Sequence, residues 1–261
     1  MTAARSAARA AALELLERRH GLGVRAGALP SWMVLRLDRA LDALVARHGD
    51  HERALAALTD DAAELERIAE LLRVGETSFF RDPPQWDALA ERVLPRFSGR
   101  VRALSAGCST GEEAWSLSML LAASGADYRV VGVDRSEAAL EAARAGVYPS
   151  AAAARVPHAL AARYLERDGD WVRVSDTLRA KTSFVARDVM LGPPPGSYEL
   201  ILCKNLLIYF GDEAGERVVG LLARALTDHG VLVVARSEVA RLRAMGRSTV
   251  ELAPGITVIC R

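Results

Sequence analysis

The chain has 261 residues, a formal net charge of +1 and 51% hydrophobic residues. That length can bury a real core in one large or two small domains, and the near-neutral charge gives no global field for nucleic acid or a membrane surface. No apolar run of roughly 18 residues and no signal-peptide pattern is present, so a soluble, cytoplasmic protein is expected.

All but two of the 34 basic residues are Arg, the exceptions being Lys181 and Lys204, and with the many alanines this reads as coding bias. Cys108, Cys203 and Cys260 are scattered without metal-ligand spacing. Free thiols in a reducing compartment, and no metal, are expected. Cys108 is read as a small packed residue, with a thiol of lowered pKa at a helix start as the alternative.

Residues 1 to about 73 read as helices. Ala3 to His20 is rich in strong helix formers. A second helix is expected after Pro30, with Ser31 as its cap, running to about Arg47. Its apolar residues Val34, Leu37, Leu41, Leu44 and Val45 share one face. Arg36, Arg39 and Arg47 fall roughly opposite, either as a solvated face or as a docking ridge for an acidic helical partner. Further helices are expected over about Glu52 to Leu58 and Asp61 to Arg73.

The stretch Val74 to Pro84 carries adjacent Phe79 and Phe80 and a Pro pair, unlike a flexible linker. It is expected to drape across the mouth of a sheet, burying both rings and presenting Thr77 and Arg81 to a ligand. A helix broken at Pro95 should follow from Trp86 to Phe97.

Val101 to Met119 organises the rest: a buried strand to Ala106, a turn from Gly107 to Gly111, then a helix. Open α/β sheets build nucleotide sites at such turns. The turn lacks the Lys of a P-loop and does not fit Gly-x-Gly-x-x-Gly. Glu112 and Glu113 follow at once; they would repel a pyrophosphate but suit a sulfonium, so S-adenosylmethionine fits.

A second strand, Tyr128 to Val133, ends at Asp134. A carboxylate there can hold ribose hydroxyls, or it can cap a helix from Ser136 to Ala145. Residues 147–182 suggest a small antiparallel insertion in which Trp171–Val174 and Lys181–Val185 bracket the turn Asp168-Gly169. Phe184 to Asp188 is another short strand. Glu199 to Cys203 is a buried central strand leading into Lys204-Asn205 and Tyr209. A helix over Glu213–Thr227, a turn at Asp228-His229-Gly230, a strand over Val231–Ala235 and a last strand over Ile256–Cys260 complete the chain. Five strands alternating with helices make a doubly wound α/β sheet. His229 is read as a surface turn residue.

Glu76-Thr-Ser-Phe-Phe-Arg-Asp82, Ser105 to Glu113 and Cys203-Lys-Asn-Leu-Leu-Ile-Tyr-Phe210 together resemble the CheR family of chemoreceptor methyltransferases. The match runs in order over roughly residues 30–260. It implies a class I S-adenosylmethionine-dependent methyltransferase fold, Rossmann-like, with an all-helical N-terminal domain (1–74), a connecting segment contributing to the cofactor site (75–98) and a catalytic domain (99–261) carrying a β insertion at about 147–184.

The resemblance further implies methyl transfer from S-adenosylmethionine to receptor glutamates, with S-adenosylhomocysteine as product. By the family pattern, Gly75, Thr77, Arg81 and Gly107 line the cofactor and Glu113, rather than Glu112, lies along its amino-acid part. Asp134 holds the ribose, Asp188-Val189 lie near the adenine, and Lys204-Asn205 line the pocket. Arg81 approaches the reacting carboxylate and Tyr209 stands beside the methyl. The expected partner is the cytoplasmic helical region of a chemoreceptor, met by a monomer through Arg36, Arg39 and Arg47.

The chain departs from the family at four places. Gly75 stands for the usual Asn, Asp188-Val189 for Asn-Leu, Lys204 for Arg, and Ala114-Trp115 for Pro-Tyr. A lost side-chain hydrogen bond at Gly75 costs on the order of 1 kcal/mol. The short Glu166–Trp171 loop also argues against the receptor-tail tethering of some relatives. Other readings are a relative acting on a different substrate, or a non-catalytic cofactor-binding regulator.

Overall fold

The computed structural model describes residues 3–23, 31–72, 77–246, 249–253 and 256–260. Their contacts divide the chain into two units, Met1–Val74 with Ile208–Gly215, and Gly75–Leu207 with Glu216–Arg261.

The first unit holds helices α1 (Ala3–His20), α2 (Ser31–His48), α3 (His51–Asp60) and α4 (Ala62–Leu72). Leu16, Leu37, Leu41, Leu44, Leu58, Ile68 and Leu72 close one buried core at helical spacing. α3 is longer than its apolar pattern predicts because the Asp50 carboxylate accepts the Arg53 N–H and starts the helix early. Asp61 does the same for α4, accepting from Ala63 and Glu64 N–H. Ile208–Gly215 joins this unit through a bridge between Leu22 and Phe210 and a Gly211 N–H bond to Gly21 C=O at 3.0 Å. A Cβ on Gly23 would fall 2.0 Å from Gly211 Cα, so the backbones can approach only at glycine.

The second unit opens on α5 (Pro83–Ala88), which continues through a π turn (Leu89–Val93) and a 3-10 turn (Leu94–Arg96). The expected break at Pro95 is present, and the π turn fits the hydrogen bond that a proline cannot make. Next come β1 (Arg100–Ala106), α6 (Glu112–Ala123), β2 (Asp127–Asp134), α7 (Glu137–Ala145) and β3 (Val147–Pro149). α8 (His158–Tyr164), β4 (Leu165–Asp168), β5 (Trp171–Val174), α9 (Asp176–Arg179) and β6 (Thr182–Ala186) follow. The chain ends with β7 (Tyr198–Cys203), α10 (Asp212–Arg224), β8 (Leu226–Val234), α11 (Val239–Ala244), β9 (Val250–Ala253) and β10 (Ile256–Cys260).

Seven strands form one sheet in the order β6-β2-β1-β7-β8-β10-β9. The first five are parallel, and β10 runs antiparallel to both of its neighbours. This is the expected doubly wound α/β sheet, extended by an antiparallel pair. β7 is almost wholly buried, as a strand covered on both faces must be.

Two expectations are corrected. Lys181–Val185 does not bracket the Asp168-Gly169 turn, because β4 pairs with β5 there and β3 lies on the other side of β5. The short α9 carries the chain back, and β6 pairs with β2 in the large sheet, where Phe184 packs on Trp115 at 5.2 Å. Nor does Asp228-His229-Gly230 form a turn before the last parallel strand. It lies inside β8, where the register shifts against β7, with His229 exposed as expected. β9 is an addition to the strands expected from the sequence.

Candidate active site

Strand order reverses between β1 and β7, and open α/β sheets bind ligands at the carboxyl ends of such strands. The turn after β1 is sharply bent, with φ of +74° at Gly107, +48° at Ser109 and +95° at Gly111. The Gly107 and Cys108 N–H groups both donate to Val133 C=O, tying the turn to β2. Tyr148 Oη donates to Thr110 C=O at 2.6 Å and holds its other side. A Cβ on Gly111 would meet Ala143 Cβ at 2.7 Å, so this glycine lets α6 start against α7.

The first turn of α6 presents both acids, in different settings. Glu112 is buried and accepts from Thr110 Oγ1 at 2.7 Å. Burial pushes its pKa up. Glu113 Oε1 accepts from Ser105 Oγ at 2.8 Å, and its Oε2 lies 4.0 Å from Lys204 Nζ. Burial raises its pKa too, against the Lys204 charge, the Ser105 hydrogen bond and the Arg81 charge. Lys204 is shifted the opposite way: burial pushes its pKa down, against the charges of Glu113 and Asp82. Burial therefore outweighs attraction in this loosely apposed pair. A cationic ligand beside Glu113 would favour its charged form, which fits an amino group or sulfonium.

Lys204 is only 2% exposed at its side chain. Its ammonium donates to Arg81 C=O at 3.3 Å and lies 4.9 Å from the Trp86 ring centroid. It therefore fastens the Arg81 segment to the end of β7. Phe79 and Phe80 are buried as expected, Phe79 edge-on to Tyr148 at 5.0 Å and Phe80 against Trp86 at 5.2 Å. The Phe80 N–H donates to Ser116 Oγ. Phe80 and Asp82 both have positive φ, +48° and +62°, so Arg81 sits between two strained residues with its side chain exposed. Thr77 is half-buried. Gly75 lies outside the described residues.

Asp134 accepts the Ser109 N–H at 2.9 Å on one oxygen and the Ser136 N–H at 3.0 Å on the other. Ser136, not Asp134, caps α7 by accepting from Ala139. The Asp134 carboxylate is half-buried at the end of β2, and each oxygen keeps a further lone pair. Asp188 follows β6, accepts the Met190 N–H at 2.9 Å and lies 3.6 Å from Arg135 Nη1. Val189 is buried beside it. Asn205, half-buried at φ +56°, follows Lys204. Cys108 is 1% exposed, and burial pushes its thiol pKa well up, which makes it a packed residue and not a nucleophile.

The remaining expected residues belong to the helical unit. Tyr209 lies in Ile208–Gly215, and its ring packs, partly buried, on that unit's core. Arg36, Arg39 and Arg47 share an exposed face. Arg36 donates to Leu71 C=O at 3.1 Å and stands over Trp32, while Arg47 pairs with Glu64. Glu64 is held down to about 2 by Arg67 and Arg47.

Two residues were missed by sequence reasoning. Ser105 reads as one small residue of a buried strand. Glu238 is 1% exposed and accepts backbone N–H groups from Asn205, Leu207 and Ala235. An acid just past a strand's carboxyl end was the only available signal. Among the described residues no group of three His, Cys, Asp or Glu could hold a metal, and no helix is long and apolar enough to cross a membrane.

The description "CheR methyltransferase, SAM binding domain" matches residues 75–251. A chemotaxis protein methyltransferase of Listeria monocytogenes is 32% identical over 187 residues, covering 69% of this chain and 71% of that protein. A probable biofilm formation methyltransferase, WspC, of Pseudomonas putida is 32% identical over 213 residues, 77% of this chain and 50% of that protein. An uncharacterized 104.1 kDa protein of Rhodobacter capsulatus is 29% identical over 221 residues, 80% of this chain but only 23% of that protein.

Proposed function

Because the chain belongs to the CheR methyltransferase family, we propose that it esterifies glutamate side chains in the cytoplasmic helical region of a chemoreceptor, acting in the cytoplasm as a monomer. The observation that carries the reading is the cluster at the strand-order reversal: Glu113 facing Lys204, with Asp134 and Asn205 at the ends of the flanking strands.

These residues fit S-adenosylmethionine. The under-compensated Glu113 carboxylate suits the cationic amino-acid end, and Asp134 has acceptor capacity left for ribose hydroxyls. Asp188 and Val189 would flank the adenine, and Gly75, Thr77, Gly107, Lys204 and Asn205 would line the pocket. When bound, S-adenosylmethionine supplies an electrophilic methyl on sulfur and leaves as S-adenosylhomocysteine.

The rest is alignment. A glutamate side chain has an ordinary pKa near 4.3 and is ionised at neutral pH, so it needs no general base. Holding a nucleophile in line can contribute about 7–11 kcal/mol. Arg81, exposed and braced by Lys204 and Trp86 through its own carbonyl, would hold the incoming carboxylate with charge-assisted bonds. Tyr209 would stand beside the methyl. Arg36, Arg39 and Arg47 would meet the acidic face of the receptor helix.

The experiment is transfer of labelled methyl from S-adenosylmethionine to receptor cytoplasmic fragments, scored as base-labile ester. Arg81→Ala should lower transfer at least about 100-fold with an unchanged melting temperature. Full activity in that variant would remove Arg81 from its role. Absence of ester on every fragment, with cofactor still bound, would mean that the substrate is something else.

A further inference from the structure

Lys204 and Asn205 sit in a loop that has no glycine from Cys203 to Phe210, yet Asn205 holds a left-handed φ of +56°. Asn is one of the few residues besides Gly that accept that shape. A second hold comes from Glu238, in the 3-10 turn Arg236–Glu238 that follows β8.

Glu238 Oε2 accepts the Asn205 N–H at 3.0 Å and the Ala235 N–H at 3.1 Å, while Oε1 accepts the Leu207 N–H at 2.8 Å. β7 and β8 are hydrogen-bonded neighbours, so one carboxylate ties together the backbones that leave both strands at their carboxyl ends. The Arg241 guanidinium adds a bond to Leu207 C=O. Leu207 is thus held by its N–H and its C=O at once. Lys204 and Asn205 lie between this anchor and the buried strand, and their side-chain directions follow from it.

We infer that Glu238 is the positioning residue of the cofactor pocket's β7 side, fixing Lys204 and Asn205 through the backbone of their loop without touching the ligand. The inference rests on the cofactor reading above and deepens it. An apolar core residue could hold the two strands together equally well. Only a carboxylate can receive three N–H groups that otherwise have no place in the sheet ladder.

The test is calorimetric titration of the full chain with S-adenosylhomocysteine. Glu238→Gln keeps the size but turns one acceptor into a donor that faces N–H groups, so binding should weaken about tenfold or more. Val233→Ala, a core truncation in β8, the strand before Glu238, should lower the melting temperature and leave affinity within about twofold. Asn205→Gly keeps the positive φ and deletes the side chain that Glu238 positions. Adding Glu238→Gln to it should therefore cost clearly less than in the wild-type background. Multiplicative effects in the double variant, or an affinity for Glu238→Gln within twofold of wild type, would overturn the inference and leave the cofactor reading standing. Absence of binding by the wild-type chain would overturn both.

Discussion

Each loop beside the strand-order reversal has a left-handed residue whose N–H is taken by a distant carboxylate, Ser109 by Asp134 and Asn205 by Glu238, but only the first also carries glycines. The turn after β1 is bent by its own residues: Gly107 and Gly111 take positive φ, and a Cβ at Gly111 would strike Ala143. The loop after β7 has no glycine and relies on Asn205 and on a carboxylate that reaches its N–H from 33 residues away. A locally encoded turn breaks when its own backbone is changed. A remotely held loop breaks when its holder is changed, even though the holder contacts no ligand. The Glu113–Lys204 pair bridges the two halves, so each half sets the electrostatics of the other.

The comparison can be broken first at the turn. Gly111→Ala must place a Cβ at φ +95° and 2.7 Å from Ala143 Cβ. Left-handed strain and overpacking together should cost about 3–4 kcal/mol in urea unfolding. A loss under 1 kcal/mol would show that the turn is not fixed by its own glycines.

The bridge comes next. Lys204→Met leaves Glu113 buried without its cation and should cost about 3 kcal/mol. Burial already raises Glu113 above its ordinary 4.5. Such a carboxyl contributes fully below about pH 4.5 and loses that stability as pH rises through its folded value. Removing Lys204 raises the folded value further. The variant should therefore lag wild type increasingly as pH rises above about 4.5, and a deficit independent of pH would contradict the pairing.

The smallest effect lies in the helical unit and serves as the contrast. Glu64 in α4 is lowered to about 2, chiefly by its bond to Arg67. Its stabilisation is present above pH 4.5 and is lost as pH falls from there toward 2. Partly exposed as it is, the pair is worth about 1 kcal/mol. Glu64→Gln should flatten acid unfolding in that window and leave cofactor affinity unchanged.

How much of this was legible in the sequence follows the same division. The glycine turn, the paired acids and Asp134 could be read because strand, turn and helix stand in one continuous stretch, and the buried Phe79 and Phe80 stood out between polar neighbours. Glu238 could not be read, because its partners are backbone N–H groups that carry no side-chain signal. The insertion was paired wrongly because the Asp168-Gly169 turn marks where the chain reverses but not how far the ladder reaches. β4 directly precedes that turn, whereas α9 separates β6 from it. The helical unit was legible through its periodicity, but not the caps Asp50 and Asp61 or the pairing of Arg47 with Glu64, which depend on tertiary placement.

The most direct test of the account is calorimetric titration of the wild-type chain with S-adenosylmethionine and then S-adenosylhomocysteine. Micromolar binding of both is expected. No heat from either at millimolar ligand would contradict the cofactor site on which the rest depends.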